Sequence, residues 1–264
     1  MQIRSGTRAL VTGASRGIGR AVAHALAERG ATVGLAARST SDLEALALEL
    51  PGAHHPLTCD VALPASIATA TEEFAAATGG LDLLVANAGI AHYEPIATQN
   101  LEHIELMTEV NWLGTVYTVK AALPYLLDGD GGHIVVMSSA AGLRGFPGAA
   151  AYSATKAAQR MFAEALRHEL AGTGVSVTTV YPGEIQTSLH DHNQSRMPAW
   201  YRGGPNAATA EALATRIVKA VEHDSRHLHY HLLVKGMGIL HGVSPGMADR
   251  VLRRLRGDSA APRR

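Results

Sequence analysis

Tyr152 and Lys156, in the run Ala151-Tyr152-Ser153-Ala154-Thr155-Lys156, are the residues whose type and spacing best suit chemistry. At the start of a helix, positions four apart lie one above the other on a single face. If both point into a cleft, the ammonium favours the phenolate and lowers the phenol from its usual pKa near about 10. Such a group exchanges a proton near neutral pH. The pair by itself is common on surface helices, so the elements that would position it must decide.

The first of those elements lies near the N-terminus. Arg8-Ala9-Leu10-Val11-Thr12 is a short apolar run that suits a buried parallel strand. Gly13, Gly17 and Gly19 follow in the spacing G-x-x-x-G-x-G, with Ser15, Arg16 and Ile18 between them. An Ala- and Leu-rich segment from 20 to 29 then reads as a helix closed by Gly30. In a strand–turn–helix unit, Gly13 permits the tight turn, and Gly17 and Gly19 let a pyrophosphate approach the backbone and the helix N-terminus. The second strand, 32 to 36, ends in Ala37-Arg38-Ser39. An NAD site usually carries an acid near this point for the ribose hydroxyls. None is present there, and Arg38 with Arg16 suits a 2′-phosphate, so NADP(H) is expected over NAD(H).

The later segments repeat the alternation. Strands are expected at 55–58, 81–86, 133–137 and 174–181, with helices at 42–50, 64–78, 98–128 and 152–171 between them. That order implies a doubly wound parallel sheet with right-handed crossovers, whose ligands sit at the carboxyl edge. Asp60 and Val61, Asn87-Ala88-Gly89, Ser138-Ser139 and Pro182-Gly183 all fall at that edge. Asp60 suits an adenine amino group, or simply caps the next turn. Asn111 is embedded in an apolar helical pattern, where a buried amide needs partners.

Composition agrees with a packed α/β chain. Of 264 residues, 47% are hydrophobic and 17% charged, with net charge zero, which gives no sign of a nucleic-acid partner. The single Cys59 excludes an intrachain disulfide and fits a reducing, cytoplasmic setting. No signal-peptide core or membrane-length apolar run is present in the sequence.

In combination these motifs resemble the short-chain dehydrogenase/reductase family, over roughly residues 5 to 235. The quoted residues are Thr12-Gly13-x3-Gly17-x-Gly19, Asp60, Asn87-Ala88-Gly89, Asn111, Ser139, Tyr152-x3-Lys156 and Pro182-Gly183 with Thr187. The glycine spacing departs from that of the longer epimerase/dehydratase branch. Ala86 stands where many members have another Asn.

The resemblance implies a single Rossmann-fold domain over 1–264, with about seven parallel strands flanked by helices. It implies an NADP(H)-dependent oxidoreductase that interconverts a carbonyl and an alcohol. An NAD-dependent alcohol dehydrogenase and a non-catalytic dinucleotide-binding regulator are the alternatives. It assigns catalysis to Asn111, Ser139, Tyr152 and Lys156, selecting Ser139 because it lies thirteen residues before Tyr152. Tyr152 would be the general acid/base, Ser139 would hold the substrate oxygen, and Asn111 would hold a water linked to Lys156. Cofactor contacts would come from Gly13, Ser15, Arg16, Gly17, Ile18, Gly19, Arg38, Asp60, Val61, Asn87, Ala88, Gly89, Tyr152, Lys156, Pro182, Gly183, Ile185 and Thr187. Family members often form homodimers or homotetramers.

The substrate end is expected around a loop at about 188–206. Leu189, Met197 and Trp200 there, with Glu184, Arg144, Phe146 and Ser139, suit an apolar or aromatic small molecule. His227, His229 and His231 alternate, so one strand face would carry all three. No thiol or carboxylate completes a metal set, and no metal is expected. A basic amphipathic extension at about 236–264 is expected to pack against another subunit, close the substrate pocket or dock on an anionic membrane surface.

Overall fold

The computed structural model describes residues 1–129, 131–187 and 207–255. Seven parallel strands form one sheet in the order β3-β2-β1-β4-β5-β6-β9. They are β1 (Arg8–Thr12), β2 (Thr32–Ala37), β3 (His55–Thr58), β4 (Leu83–Ala86), β5 (Gly132–Met137), β6 (Val175–Tyr181) and β9 (His227–His229). The alternating order foreseen from the sequence is therefore present, and the fold is Rossmann-like.

Side-chain alternation along the strands explains the two layers. Ala9, Val11, Val33 and Leu35 face the layer of α1 (Gly17–Ala27), α2 (Thr40–Glu49) and α7 (Ala210–Glu222). Leu10, Ala36, Leu84 and Ile134 face the layer of α3 (Pro64–Thr78), α5 (Gly114–Asp128) and α6 (Ala150–Glu169). Fully burying each such Val, Leu or Ile side chain is worth roughly 1.5–3 kcal/mol. Gly34 in β2 is a space requirement, because a Cβ there would stand 2.7 Å from Cδ2 of the fully buried Phe74.

The chain reverses its winding between β1 and β4, which opens a crevice at their carboxyl ends. The helical stretch foreseen at 98–128, with a break expected near Gly114, is split there. It comprises α4 (Leu101–Met107), a π-helical turn at Thr108–Leu113 and α5, with Pro124 inside α5. The π-turn lies around Asn111, and such turns recur at functional sites.

Two features depart from the sequence reading. β9 ends at His229, and His231 has a φ of +78° at the head of α8 (Leu232–Val243), so the three histidines do not share a strand face. α8 itself was not foreseen. Gly236, Gly238 and Gly242 each lower its intrinsic helix propensity by about 1 kcal/mol, and packing offsets this where Gly238 meets Leu143. The following helix, α9 (Pro245–Leu255), matches the amphipathic segment. No helix among the described residues is long and apolar enough to cross a membrane.

His133 in β5 gives a pH prediction. Its Nε2 lies 2.7 Å from Thr178 Oγ1, and that hydroxyl donates to Ser225 O at 2.6 Å, so Nε2–H is the donor. Burial holds His133 down at about 4 from its ordinary 6.5. The unfolded chain therefore takes a proton that the fold refuses, and stability falls as pH drops through that window, by roughly 3 kcal/mol at most. Urea unfolding of the native chain and His133→Gln at about pH 7 and pH 4.5 should show the smaller acid loss in the variant.

Candidate active site

A crevice of about 550 Å³ lies along the carboxyl edge of the sheet. Its floor at one end is the glycine turn. Gly13 (φ +66°) and Gly17 (φ +56°) both adopt the left-handed conformation that glycine tolerates. Gly19 is required for space, since a Cβ there would stand 2.2 Å from Gly13 O. Asn87 ties this turn to β4: its Nδ2 donates to Thr12 O at 2.9 Å and to Gly13 O at 3.3 Å. Ala88 N–H donates to Thr12 Oγ1 at 3.2 Å. Ser15, Arg16, Gly17 and Ile18 line the crevice, and no side chain caps the start of α1. Open amides at a helix N-terminus suit a pyrophosphate.

Beyond the turn, Ala37, Arg38 and Ser39 line the wall after β2, together with Asp42 from the first turn of α2. Asp42 was not picked out from the sequence. Asp60 does two things: its Oδ1 accepts from Ala62 N–H at 3.0 Å, capping the turn, and its side chain also borders the crevice beside Val61. Burial pushes the neighbouring Cys59 thiol up to about 11, so it stays protonated and is no nucleophile.

At the other end stand Ser139, Tyr152 and Lys156, all lining the crevice. Ser138 and Ser139 are sorted by their bonds. Ser138 Oγ donates to Lys156 O at 2.8 Å, whereas the Ser139 hydroxyl stabilises the ionised form of Tyr152 and accepts from Ala141 N–H at 3.1 Å. Lys156 Nζ is 5.8 Å from the Tyr152 ring centroid and donates to Met137 O at 3.0 Å. Burial pushes Tyr152 up to about 12, against hydrogen bonds from Ser139 and Tyr93 that favour the phenolate. Burial also brings Lys156 down to about 7. This corrects the expectation that the ammonium lowers the phenol. Desolvation is the largest influence on both groups.

Asn111 is fully buried. Its Oδ1 accepts from Ile90 N–H at 2.8 Å, and its Nδ2 donates to Ile90 O at 2.9 Å and to Thr155 Oγ1 at 3.1 Å. The amide thus clamps the loop after Gly89 to the helix that carries Tyr152. Tyr93 in the same loop packs edge-on against Tyr152, centroids 5.5 Å apart, and was missed in the sequence because nothing in its spacing marks it.

Pro182, Gly183, Ile185 and Thr187 line the remaining wall, and Ala88 and Gly89 the facing one. The short strands β7 (Ile185–Gln186) and β8 (Ala208–Thr209) pair in parallel and hold the two ends of the 188–206 stretch together. Leu189, Met197 and Trp200 lie outside the described residues. Of the other substrate candidates, Arg144 is drawn away into an ion pair with Asp249 of α9, and Glu184 accepts from Ala208 N–H through its carbonyl at 3.2 Å. Phe146 packs in the cluster around Tyr93 and Tyr152. Ile90, His92, Leu106 and Val110 line the crevice instead. His92 stacks on His103 at 4.0 Å.

A buried phenol, Tyr152, thus stands at one end of a crevice whose other end is the glycine turn of a Rossmann-like sheet. The family model for short chain dehydrogenases matches residues 7–198. An uncharacterized oxidoreductase of Myxococcus xanthus is 41% identical over 193 residues, 72% of this chain and 76% of the relative. The mouse dehydrogenase/reductase SDR family member 7B is 32% identical over 255 residues, 92% of this chain and 79% of the relative. A crystal structure of a short-chain type dehydrogenase/reductase from Mycobacterium marinum superposes with a TM-score of 0.76 at 30% identity, covering 86% of this chain and 94% of that one. A Burkholderia phymatum short chain dehydrogenase/reductase in complex with NAD matches in fold, with a TM-score of 0.84 at 24% identity over the whole of both chains. This chain belongs to the short-chain dehydrogenase/reductase family and is an oxidoreductase.

Proposed function

We propose that the chain is a single-domain NADP(H)-dependent oxidoreductase, and that it interconverts a carbonyl and an alcohol on an apolar or aromatic small molecule. The observation that carries this reading is the placement of Tyr152, Ser139 and Lys156 in the same crevice as the uncapped start of α1. When bound there, the nicotinamide cofactor supplies the hydride. Tyr152 gives its hydroxyl proton to the carbonyl oxygen, or takes it back from the alcohol. Ser139 steadies the charge developing on that oxygen. Lys156, 5.8 Å from the Tyr152 ring centroid, supplies the cation beside the phenol and would hold the ribose hydroxyls of the nicotinamide cofactor. Asn111 is a positioning residue that holds the Ile90 backbone and Thr155 in register. Ile90, Leu106 and Val110 give the substrate end its apolar lining. A homodimer or homotetramer and a cytoplasmic setting belong to the same proposal.

The cofactor preference rests on Arg16 and Arg38 beside Ser39 at the adenosine end, with no acid at the end of β2. Arg38→Ala should weaken NADPH binding by about 10-fold or more while leaving NADH binding within about twofold, because only NADPH carries the 2′-phosphate. Fluorescence titration with both nucleotides measures this. A specific observation favours the second reading, NAD(H): Asp42 borders the same end and is an acid able to accept from ribose hydroxyls. Tighter NADH binding by the native chain, weakened in Asp42→Ala, would establish that alternative. A carbonyl and alcohol screen following nicotinamide absorbance then defines the substrate.

A further inference from the structure

We infer that a second cleft, between α6 and the β6–β9 edge, is a binding site for a small phosphoryl-bearing dianion, separate from the nucleotide crevice. The cleft encloses about 440 Å³, within the range of small-molecule sites. Arg160 and Arg167 line it from α6, Arg226 from the connection to β9, and His227 and His229 from β9 itself. Glu164 is its only carboxylate. Three guanidiniums face one lining carboxylate, with Asp224 acting on Arg167 and Lys235 on His229 from outside the lining, so the balance stays positive while the imidazoles are neutral, which suits a dianion.

The geometry is already fixed on the protein side. Arg167 Nε donates to Val177 O at 3.2 Å, and Nη2 donates to Thr179 Oγ1 at 3.3 Å and to Arg226 O at 3.1 Å. Those acceptors are neutral, so they orient the guanidinium without discharging it. No ion pair within 4.0 Å engages Arg160, Arg167 or Arg226 among the described residues. Tyr181 forms an aromatic wall, with its ring stacked on His229 at a 4.9 Å centroid distance. The uncompensated field is felt by the histidines. His227 is held below its ordinary value by burial and then by Arg167 and His229, and His229 by burial and then by Lys235 and Arg160. Guanidinium forks flanked by imidazole donors suit a tetrahedral phosphoryl group, which accepts from several sides at once.

Inorganic phosphate, mainly a dianion slightly above neutral pH, is the probe, at low ionic strength, with the full chain followed by histidine-ring NMR. A saturable shift of the His227 and His229 resonances is expected. His92 reports separately on the nucleotide crevice, so failure of the cofactor reading and failure of this one are distinguishable. The double variant Arg160→Ala/Arg226→Ala should weaken the His227 and His229 response at least about 10-fold, since each charge-assisted contact contributes strongly. Neither side chain makes a hydrogen bond that holds the fold together, and an unchanged melting curve verifies that; Arg226→Ala alone serves if the double variant melts early. An absent or unsaturable shift, or one weakened less than that in a folded variant, overturns the site.

Discussion

Tyr152→Phe is expected to lower kcat by about 10³-fold or more and to leave the NADPH dissociation constant within about threefold. General acid–base catalysis contributes roughly 10²–10⁴-fold, and the phenol hydroxyl stands with Ser139 in the crevice. The substitution removes one oxygen and no packing. The ring is 4% exposed and meets Tyr93 edge-on at 5.5 Å, a contact a phenylalanine keeps. The turn at Gly13, the open amides of α1 and Lys156 are untouched, so the nucleotide keeps its contacts. Steady-state turnover and fluorescence titration on the same preparation read the two effects separately. Turnover surviving within tenfold would show that another group moves the proton, and loss of turnover together with nucleotide binding would point to a folding defect. A chain that binds the nucleotide and has no turnover on any carbonyl or alcohol, even with Tyr152 intact, would favour a regulatory role.

The second large effect belongs to Gly19. A Cβ there stands 2.2 Å from Gly13 O, 2.8 Å from Gly13 C and 2.6 Å from Asn87 Nδ2. Two of these atoms are backbone. The third is the amide that ties β4 to the turn. Nothing flexible can move aside, so Gly19→Ala must push α1 away from the turn it caps. Overpacking of this kind costs typically 1–3 kcal/mol and more where backbone is struck, so a loss of about 3 kcal/mol is expected. Nucleotide affinity should fall with it, by about 10-fold or more, because the N-terminal amides of α1 shift from the pyrophosphate position. Gly236→Ala makes the same chemical change inside α8, where nothing lies within 4 Å. That variant should be stabilised by about 0.5–1 kcal/mol through helix propensity alone. Urea unfolding of both variants, beside NADPH titration, checks the contrast. Equal effects at the two positions would mean that the turn yields more easily than its contacts indicate.

Much of the fold was legible because its signals are local. Buried parallel strands are continuous apolar runs, and six of the seven observed strands begin within one residue of the expected start. The glycine turn, Asp60, the Asn-Ala-Gly segment and the Tyr-x3-Lys pair are short-range patterns tied to strand ends, so the sheet edge delivers them to one crevice. α8 was illegible because its glycines oppose helix propensity and its stability comes from contacts such as Gly238 with Leu143.

Alternation also placed His231 on a strand that had already ended, since β9 is short and a φ of +78° turns the chain into α8. Arg144 looked free to reach a substrate, and only the fold brings Asp249, more than a hundred residues away, to its guanidinium. Tyr93, His92 and Asp42 carried no spacing that singles them out, and they join the site because loops and helix turns from separate units converge there. Sequence alone therefore pointed to the parallel, doubly wound class of the sheet through local periodicity, and to the family through the resemblance of its short motifs. Tertiary structure decided the electrostatics. Burial sets Tyr152 near 12 and Lys156 near 7, and the packing of α6 on the sheet edge brings the distant Arg226 to Arg160 and Arg167. Desolvation and long-range proximity exist only once the chain is packed.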